Sequence, residues 1–431
     1  MTSQMIICLI IFILTLVSFI LNRIPMALTA LISMMLYYFT GCIDASAALK
    51  GFSNTNTILI ASMFVVGAGF TRTSYIAKIA NGVTRMSSGS FKKAMGGFIL
   101  LAALLSQFIQ SPSAVFVIVF PIVLATCDNM GVSPSKAMFP LGLTCIASCA
   151  ILPLGSSAAT YAQFNGYLEA YKYTTYMFKP WDIAYARIPS LIFVLVYCIF
   201  FADRFAPDQP IIPLQTIQGG KIGGKKEPLS KAKDIIGLVI FAVVSVALLL
   251  SEVIGIPAWA IALGGALLML LCGILTEKEA VASIPMSLLL IFVGALATGE
   301  ALTATGAGKL IGGMFAAIGK GIGNNFLFCA LFFLVPFVIT QFMNNLGVIG
   351  IFTPIAILTA QSLEANPVGL IILVSAASLC AFLTPMGTPT ASMIMGLGGY
   401  DIKSMFKQGW LPGLILWFIN SLWVSIIFPV L

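Results

Sequence analysis

Runs of apolar residues long enough to cross a bilayer follow one another along almost the whole chain, beginning with Met5–Leu21. Backbone inside lipid has to satisfy its own hydrogen bonds, so such runs fold as helices unless they close a barrel. The 431 residues are 60% hydrophobic and only 8% charged, against about 25% charged in a soluble domain. That balance excludes a water-soluble core and predicts an all-α polytopic membrane protein. The first run lacks a basic stretch ahead of it and a small-residue cleavage site, so it reads as a retained span.

Two polar knots interrupt the pattern. Ser106-Gln107-Phe108-Ile109-Gln110-Ser111-Pro112-Ser113 runs on to Pro121, and Thr340-Gln341-Phe342-Met343-Asn344-Asn345-Leu346-Gly347 runs on to Pro354. Gln107 matches Gln341 and Phe108 matches Phe342. The arms on either side hold roughly 12–15 apolar residues, short for a crossing at about 1.5 Å per residue, so each knot reads as the tip of a re-entrant hairpin. A Pro/Gly break follows each knot: Pro153-Leu154-Gly155-Ser156-Ser157 and Thr384-Pro385-Met386-Gly387-Thr388-Pro389. Ile24-Pro25 likewise matches Ile256-Pro257, Gly41 matches Gly273, and Gly166-Tyr167 matches Gly399-Tyr400.

These matches divide the chain into two repeats. Residues 1–203 form the first, with a hairpin at about 94–127 and a broken helix at about 137–165. Residues 204–233, rich in Pro, Gly, Gln and Lys, form a linker; residues 234–431 form the second repeat, with a hairpin at about 326–361 and a broken helix at about 368–398. Residues 72–93 and 303–323 are expected at the membrane surface. A hairpin returns to the side it enters, so each repeat makes five crossings, and an odd number inverts the second repeat relative to the first. On this topology 16 of the 22 Lys and Arg residues fall on one side, leaving Lys50, Lys172, Lys179, Arg187, Lys309 and Lys320 on the other. The richer side is cytoplasmic, which places both termini outside, the linker inside, and the protein in the plasma membrane.

Helix N-termini exposed at tips and breaks favour anions, while C-terminal ends and free carbonyls favour cations. The candidates for a bound anion are Gln110, Ser111, Ser113, Asn344, Asn345 and Thr388. Those for sodium are Ser111, Gly155, Ser156, Asn345, Gly387 and Thr384, with Ser157 and Gly347 nearby. No formal charge lies within either knot or break. Glu300 stands where Arg72 stands in the first repeat; flanked by Gly299 and Thr303, it reads as an interfacial residue before a proton relay. There is no histidine, and Cys145 and Cys149 share a helix face without a second ligand pair, so a zinc site or an imidazole-based enzyme is not expected.

Gln341-Phe342-Met343-Asn344-Asn345 through Pro354, then Leu383-Thr384-Pro385-Met386-Gly387-Thr388-Pro389 and Gly398-Gly399-Tyr400, resembles the divalent anion:sodium symporter family of the ion transporter superfamily. Dicarboxylate, citrate and sulfate carriers belong to that family, and the likeness extends over nearly the whole chain. The resemblance implies a Ser-Asn-Thr motif at each tip, ten residues before a proline. Here those places hold Ser111-Pro112-Ser113 and Asn344-Asn345-Leu346, so only Ser111 and Asn345 match, and Ser113 keeps a hydroxyl. A literal Ser53-Asn54-Thr55 has no proline ten residues on and is expected merely to cap a helix. The resemblance further implies sodium-coupled symport of a small anion by an elevator movement in a homodimer. Proton-coupled or uncoupled anion transport is the alternative.

Overall fold

The computed structural model describes residues 2–21, 23–75, 90–154, 156–214 and 229–431, and among them there are helices and no strand. The first half holds α1 (Ser3–Leu21), α2 (Met26–Phe39), α3 (Thr55–Arg72), α4 (Phe91–Phe108), α5 (Pro112–Met130), α6 (Met138–Ala147), α7 (Ser156–Ala170) and α8 (Asp182–Phe200). The second holds α9 (Lys231–Leu249), α10 (Ala258–Leu271), α11 (Met286–Thr305), α12 (Ala307–Ile322), α13 (Asn325–Thr340), α14 (Asn345–Leu363), α15 (Val368–Ser378), α16 (Pro389–Gly398) and α17 (Ile402–Ile427). With α12 set aside, helix order and helix breaks recur from one half to the other. Eight of the described helices are long and apolar enough to cross a membrane, and several shorter apolar helices accompany them.

Matched residues do matched work at the helix ends. Pro25 and Pro257 stand at the N-caps of α2 and α10. Gly41 and Gly273 leave those helices at φ +72° and +65°, a conformation that a side chain resists. Asn54 caps α3 by accepting from the Asn56 N–H at 2.8 Å, as its sequence context predicts.

The halves embrace reciprocally. α2 packs on α11, and α3 packs on α10. Gly294 makes the first of these contacts close, because a Cβ there would lie 2.6 Å from the Ala30 carbonyl oxygen. Two ion pairs follow the same exchange. Lys50, between α2 and α3, reaches Glu300 of α11 at 2.6 Å; Glu279, between α10 and α11, lies 4.0 Å from Arg72 at the end of α3.

Three expectations change. The arms of the knots are longer than their apolar cores: α4, α5, α13 and α14 have 18, 19, 16 and 19 residues. α4 starts at Phe91, just ahead of Lys92 and Lys93, and α5 runs through Pro121 to a left-handed cap at Gly131. One internal proline removes a single backbone bond, which membrane helices tolerate. Arm length therefore does not separate a re-entrant hairpin from two crossings. Second, the start of the expected linker is anchored. Ile211 and Ile212 donate backbone N–H bonds to the Gly399 carbonyl at 2.7 and 3.1 Å, and Lys136 pairs with Asp208 at 2.8 Å. Residues 215–228 of the linker, and 76–89 of the first surface segment, lie outside the described residues. Third, Arg187 is no loop residue. It sits inside α8 and is buried, 3% exposed, so it leaves the tally of charges at the membrane surface.

Candidate functional site

Each knot folds as a short tip, and each tip is strapped to the break that follows it by one glutamine. Gln107 is 2% exposed. Its Nε2 donates to the carbonyls of Ala103 and Ser148, both at 2.8 Å. Its Oε1 accepts from the backbone N–H groups of Ile151 and Leu152 at 3.1 and 2.8 Å. Gln341 repeats the arrangement: Nε2 donates to Phe337 at 2.8 Å and Cys380 at 3.0 Å, and Oε1 accepts from Leu383 N–H at 3.0 Å. The reason is chemical. A broken helix leaves carbonyls and N–H groups with no intrahelical partner, and one amide can satisfy both kinds. Sequence matching pairs these glutamines but gives no hint that they are the straps.

Around them the backbone closes further. Ala150 N–H donates to the Ser106 carbonyl at 3.0 Å. At the second break Thr340 Oγ1 donates to Ser378 O at 3.0 Å, and the Thr384 hydroxyl donates to the Gln341 carbonyl. Gly387 is required by this closeness, since a Cβ there would stand 2.4 Å from Thr340 O.

The predicted ligands distribute as follows. Ser111 caps α5, accepting from Ala114 N–H at 3.3 Å, with Pro112 at the first helical position, where no N–H is needed. Ser113 Oγ lies 2.9 Å from Thr390 Oγ1, which joins the first tip to the helix after the second break. Gln110 Nε2 donates to Thr160 Oγ1 at 3.2 Å. Thr388 caps α16, accepting from Ala391 N–H at 3.1 Å. At the second tip Asn344 is exposed and caps α14 through Leu346 N–H at 2.9 Å, while Asn345 Oδ1 lies 3.1 Å from Thr340 Oγ1. Gly347 is buried against Met26 and Met343, and Ser157 is buried as well. Gly155 and the side chain of Ser156 lie outside the described residues. The hydrogen bond of Ser113 with Thr390 brings the N-termini of α5 and α16 together.

Thr160 and Thr390 were not foreseen, because single hydroxyls in apolar helices carry no pattern. Arg187 was not foreseen either. Its Nη1 donates to Cys149 O at 3.2 Å and its Nη2 to Ala147 O at 2.9 Å, so a formal charge does reach the first break, from a neighbouring helix. Glu300, held by Lys50, stands away from both tips. No group of three or more His, Cys, Asp or Glu suited to a metal occurs among the described residues.

Known proteins match this chain as follows. The citrate transporter family (CitMHS) matches residues 16–345. The uncharacterized transporter sll0640 of Synechocystis is 28% identical over 202 residues, which are 47% of this chain and 32% of that protein. YfbS of Escherichia coli, another uncharacterized transporter, is 28% identical over 30% of this chain and 21% of its own length; the match thus spans less than two thirds of either relative. The sodium-dependent dicarboxylate transporter SdcS of Staphylococcus saprophyticus is 22% identical over 91% of this chain and 80% of that protein. Among solved structures, MtrF of Neisseria gonorrhoeae, from a class of antimetabolite efflux pumps, superposes with TM-score 0.63 at 14% identity, covering 100% of this chain and 96% of its own. YdaH of Alcanivorax borkumensis gives 0.60 at 13%, covering 91% and 88%. At such identities the likeness is one of fold.

Proposed function

Because the family match spans most of its length, this chain belongs to the citrate transporter family, whose members are transporters and not enzymes, and we propose that it carries a small anion together with sodium. The substrate class is a di- or tricarboxylate, or sulfate. The observation that carries this reading is the junction of Ser113 and Thr390, at 2.9 Å. There the N-termini of α5 and α16, from opposite halves, meet in a region with no acidic residue in either tip or break. Two converging helix N-termini present N–H groups and about +0.5 charge each, a ready seat for a carboxylate. Asn344, Asn345 and Gln110 would contribute amides to the anion. Ser111, Gly155, Ser156, Thr384, Asn345 and Gly387 would offer sodium hydroxyls and carbonyls, the hard oxygen donors this ion takes.

Inverted repeats are supported by the exchanged packing of α2 with α11 and α3 with α10, and by the exchanged ion pairs. Since the glutamine straps join tip to break, a break at mid-depth puts the tip there too, which favours re-entrant hairpins whatever their length. Without the buried Arg187 the basic residues still divide 16 to 5 (22 less Arg187, less the 16). That division supports a plasma-membrane protein with a cytoplasmic linker and both termini outside. Elevator movement and a homodimer, implied by the resemblance to the divalent anion:sodium symporter family, complete the proposal.

Uptake into proteoliposomes with sodium replaced by choline at fixed pH tests the coupling, and unchanged uptake would rule sodium out in favour of protons or no coupling. A thermal-shift screen against succinate, citrate, malate, sulfate and monocarboxylates, with and without sodium, identifies the anion.

A further inference from the structure

The two breaks are strapped alike but are not charged alike. At the second, the carbonyls of Ser378 and Cys380 receive neutral donors, Thr340 Oγ1 and Gln341 Nε2, both at 3.0 Å. At the first, Gln107 serves Ser148 O, and the carbonyls on either side of it, Ala147 and Cys149, are both taken by the Arg187 guanidinium at 2.9 and 3.2 Å. These carbonyls close the C-terminal end of α6, where the helix dipole leaves about −0.5 charge. A cluster of this kind, carbonyls and negative helix ends at an interrupted helix, is what attracts a small cation in a membrane.

Arg187 is 3% exposed, and no carboxylate pairs with it among the described residues. Its Nε has no hydrogen-bond partner among them. An unpaired charge buried this way is costly, and backbone carbonyls offset only part of that cost. A neutral glutamine could cap the same carbonyls, as Gln107 and Gln341 do nearby. What the guanidinium supplies beyond hydrogen bonds is its charge. The second half has no counterpart: counting back two residues from the helix prolines Pro189 and Pro412, Trp410 stands where Arg187 does.

We infer that Arg187 is a resident cation at the first break, occupying permanently the carbonyl cluster that a sodium ion would otherwise neutralise. It is a positioning and specificity residue that withdraws the first-half candidates Ser111, Gly155 and Ser156 from sodium and leaves cation coupling to Asn345, Thr384 and Gly387 at the second break. The inference rests on the sodium-coupled reading above and fixes its stoichiometry.

Arg187→Lys keeps the charge and Arg187→Gln removes it while keeping a donor, so the pair separates charge from capping. In proteoliposomes the wild type and Arg187→Lys are expected to show a sodium Hill coefficient of about 1. Arg187→Gln is expected to show a coefficient approaching 2, with a higher sodium concentration at half-saturation. A wild-type coefficient near 2, or one unchanged sodium curve for all three proteins, overturns the inference. If Arg187→Gln does not fold, the wild-type coefficient decides by itself. If wild-type uptake ignores sodium, the coupling proposal fails separately. Thermal melting in sodium against choline then decides this one: sodium stabilising only Arg187→Gln upholds it, and no difference among the three overturns it.

Discussion

Replacing Gln107 by methionine should loosen the first break without disturbing packing, since the two side chains have nearly the same length and volume. Three groups of the break lose their partner: the Ser148 carbonyl and the N–H groups of Ile151 and Leu152. Each costs about 1–3 kcal/mol when left buried and unsatisfied. The low end applies, because the loop can relax and admit water, and the sum is about 3 kcal/mol. At about 1.4 kcal/mol per decade, local opening becomes roughly 100-fold more frequent. Cys149 reports it: the residue is 2% exposed, with its Sγ 3.4 Å from the Gln110 carbonyl, beneath the tip. In a background where Cys149 is the one remaining cysteine, maleimide labelling should accelerate by about two orders of magnitude. The corresponding Gln341→Met strands two groups, Cys380 O and Leu383 N–H, and should accelerate labelling of Cys380 by about 30-fold. Labelling of Cys149 within about threefold of the parent rate would refute the strap and the accounting together.

Asn345→Ala should abolish anion uptake while the protein still reaches the membrane, measured as transport per molecule of surface protein; normal uptake would remove Asn345 from the site. Asn54→Ala should keep transport and lose about 1 kcal/mol of stability, because Asn54 caps α3 and donates to Glu169 at 3.3 Å without touching either tip. Gly387→Ala has no room for its methyl beside Thr340 O and Ala381, so the second tip and break should separate; lower melting temperature and lost uptake are expected together. Glu300→Gln should destabilise by only about 1 kcal/mol, since the Lys50 side chain is 57% exposed. Sodium-driven uptake should persist in that variant, and loss of uptake with folding intact would return Glu300 to the proton-relay role.

The recurrence of helix starts and ends between the halves was legible because it is written in residues whose roles do not depend on partners. Pro25 and Pro257, Gly41 and Gly273, and the two knots are recognisable from backbone constraint alone. Their contents were less legible, because the fate of each polar atom depends on what the fold sets opposite it. Ser111, Asn344 and Thr388 read as ligands, and each proves to cap a helix as well. Hairpin arms read short because hydrophobicity stops before hydrogen bonding does: α4 continues into lysines, and α5 continues through a proline. Arg187 misled most. Counted only as one basic residue of the poorer side, it becomes a charge on the first break through the approach of α8 to α6.

Similarity between the halves is uneven, and the unevenness bears on mechanism. α2, α3, α10 and α11 exchange contacts faithfully, down to ion pairs of opposite polarity. The broken helices do not: α7 packs on α3 and α11, whereas no comparable packing joins α16 to either helix among the described residues. α7 is also tethered there, by Asn54 and Asn56 donating to Glu169, both at 3.3 Å. Differences in sequence between two related halves give one reason to treat equivalent surfaces differently. A unit that shifts against a frame gives another, because any single position breaks the equivalence that its mirror position would break the other way. On the alternating-access proposal, the reciprocal helices belong to the frame and the asymmetric ones to the unit that moves, and the amide tether on Glu169 is a contact that must be released in the opposite state.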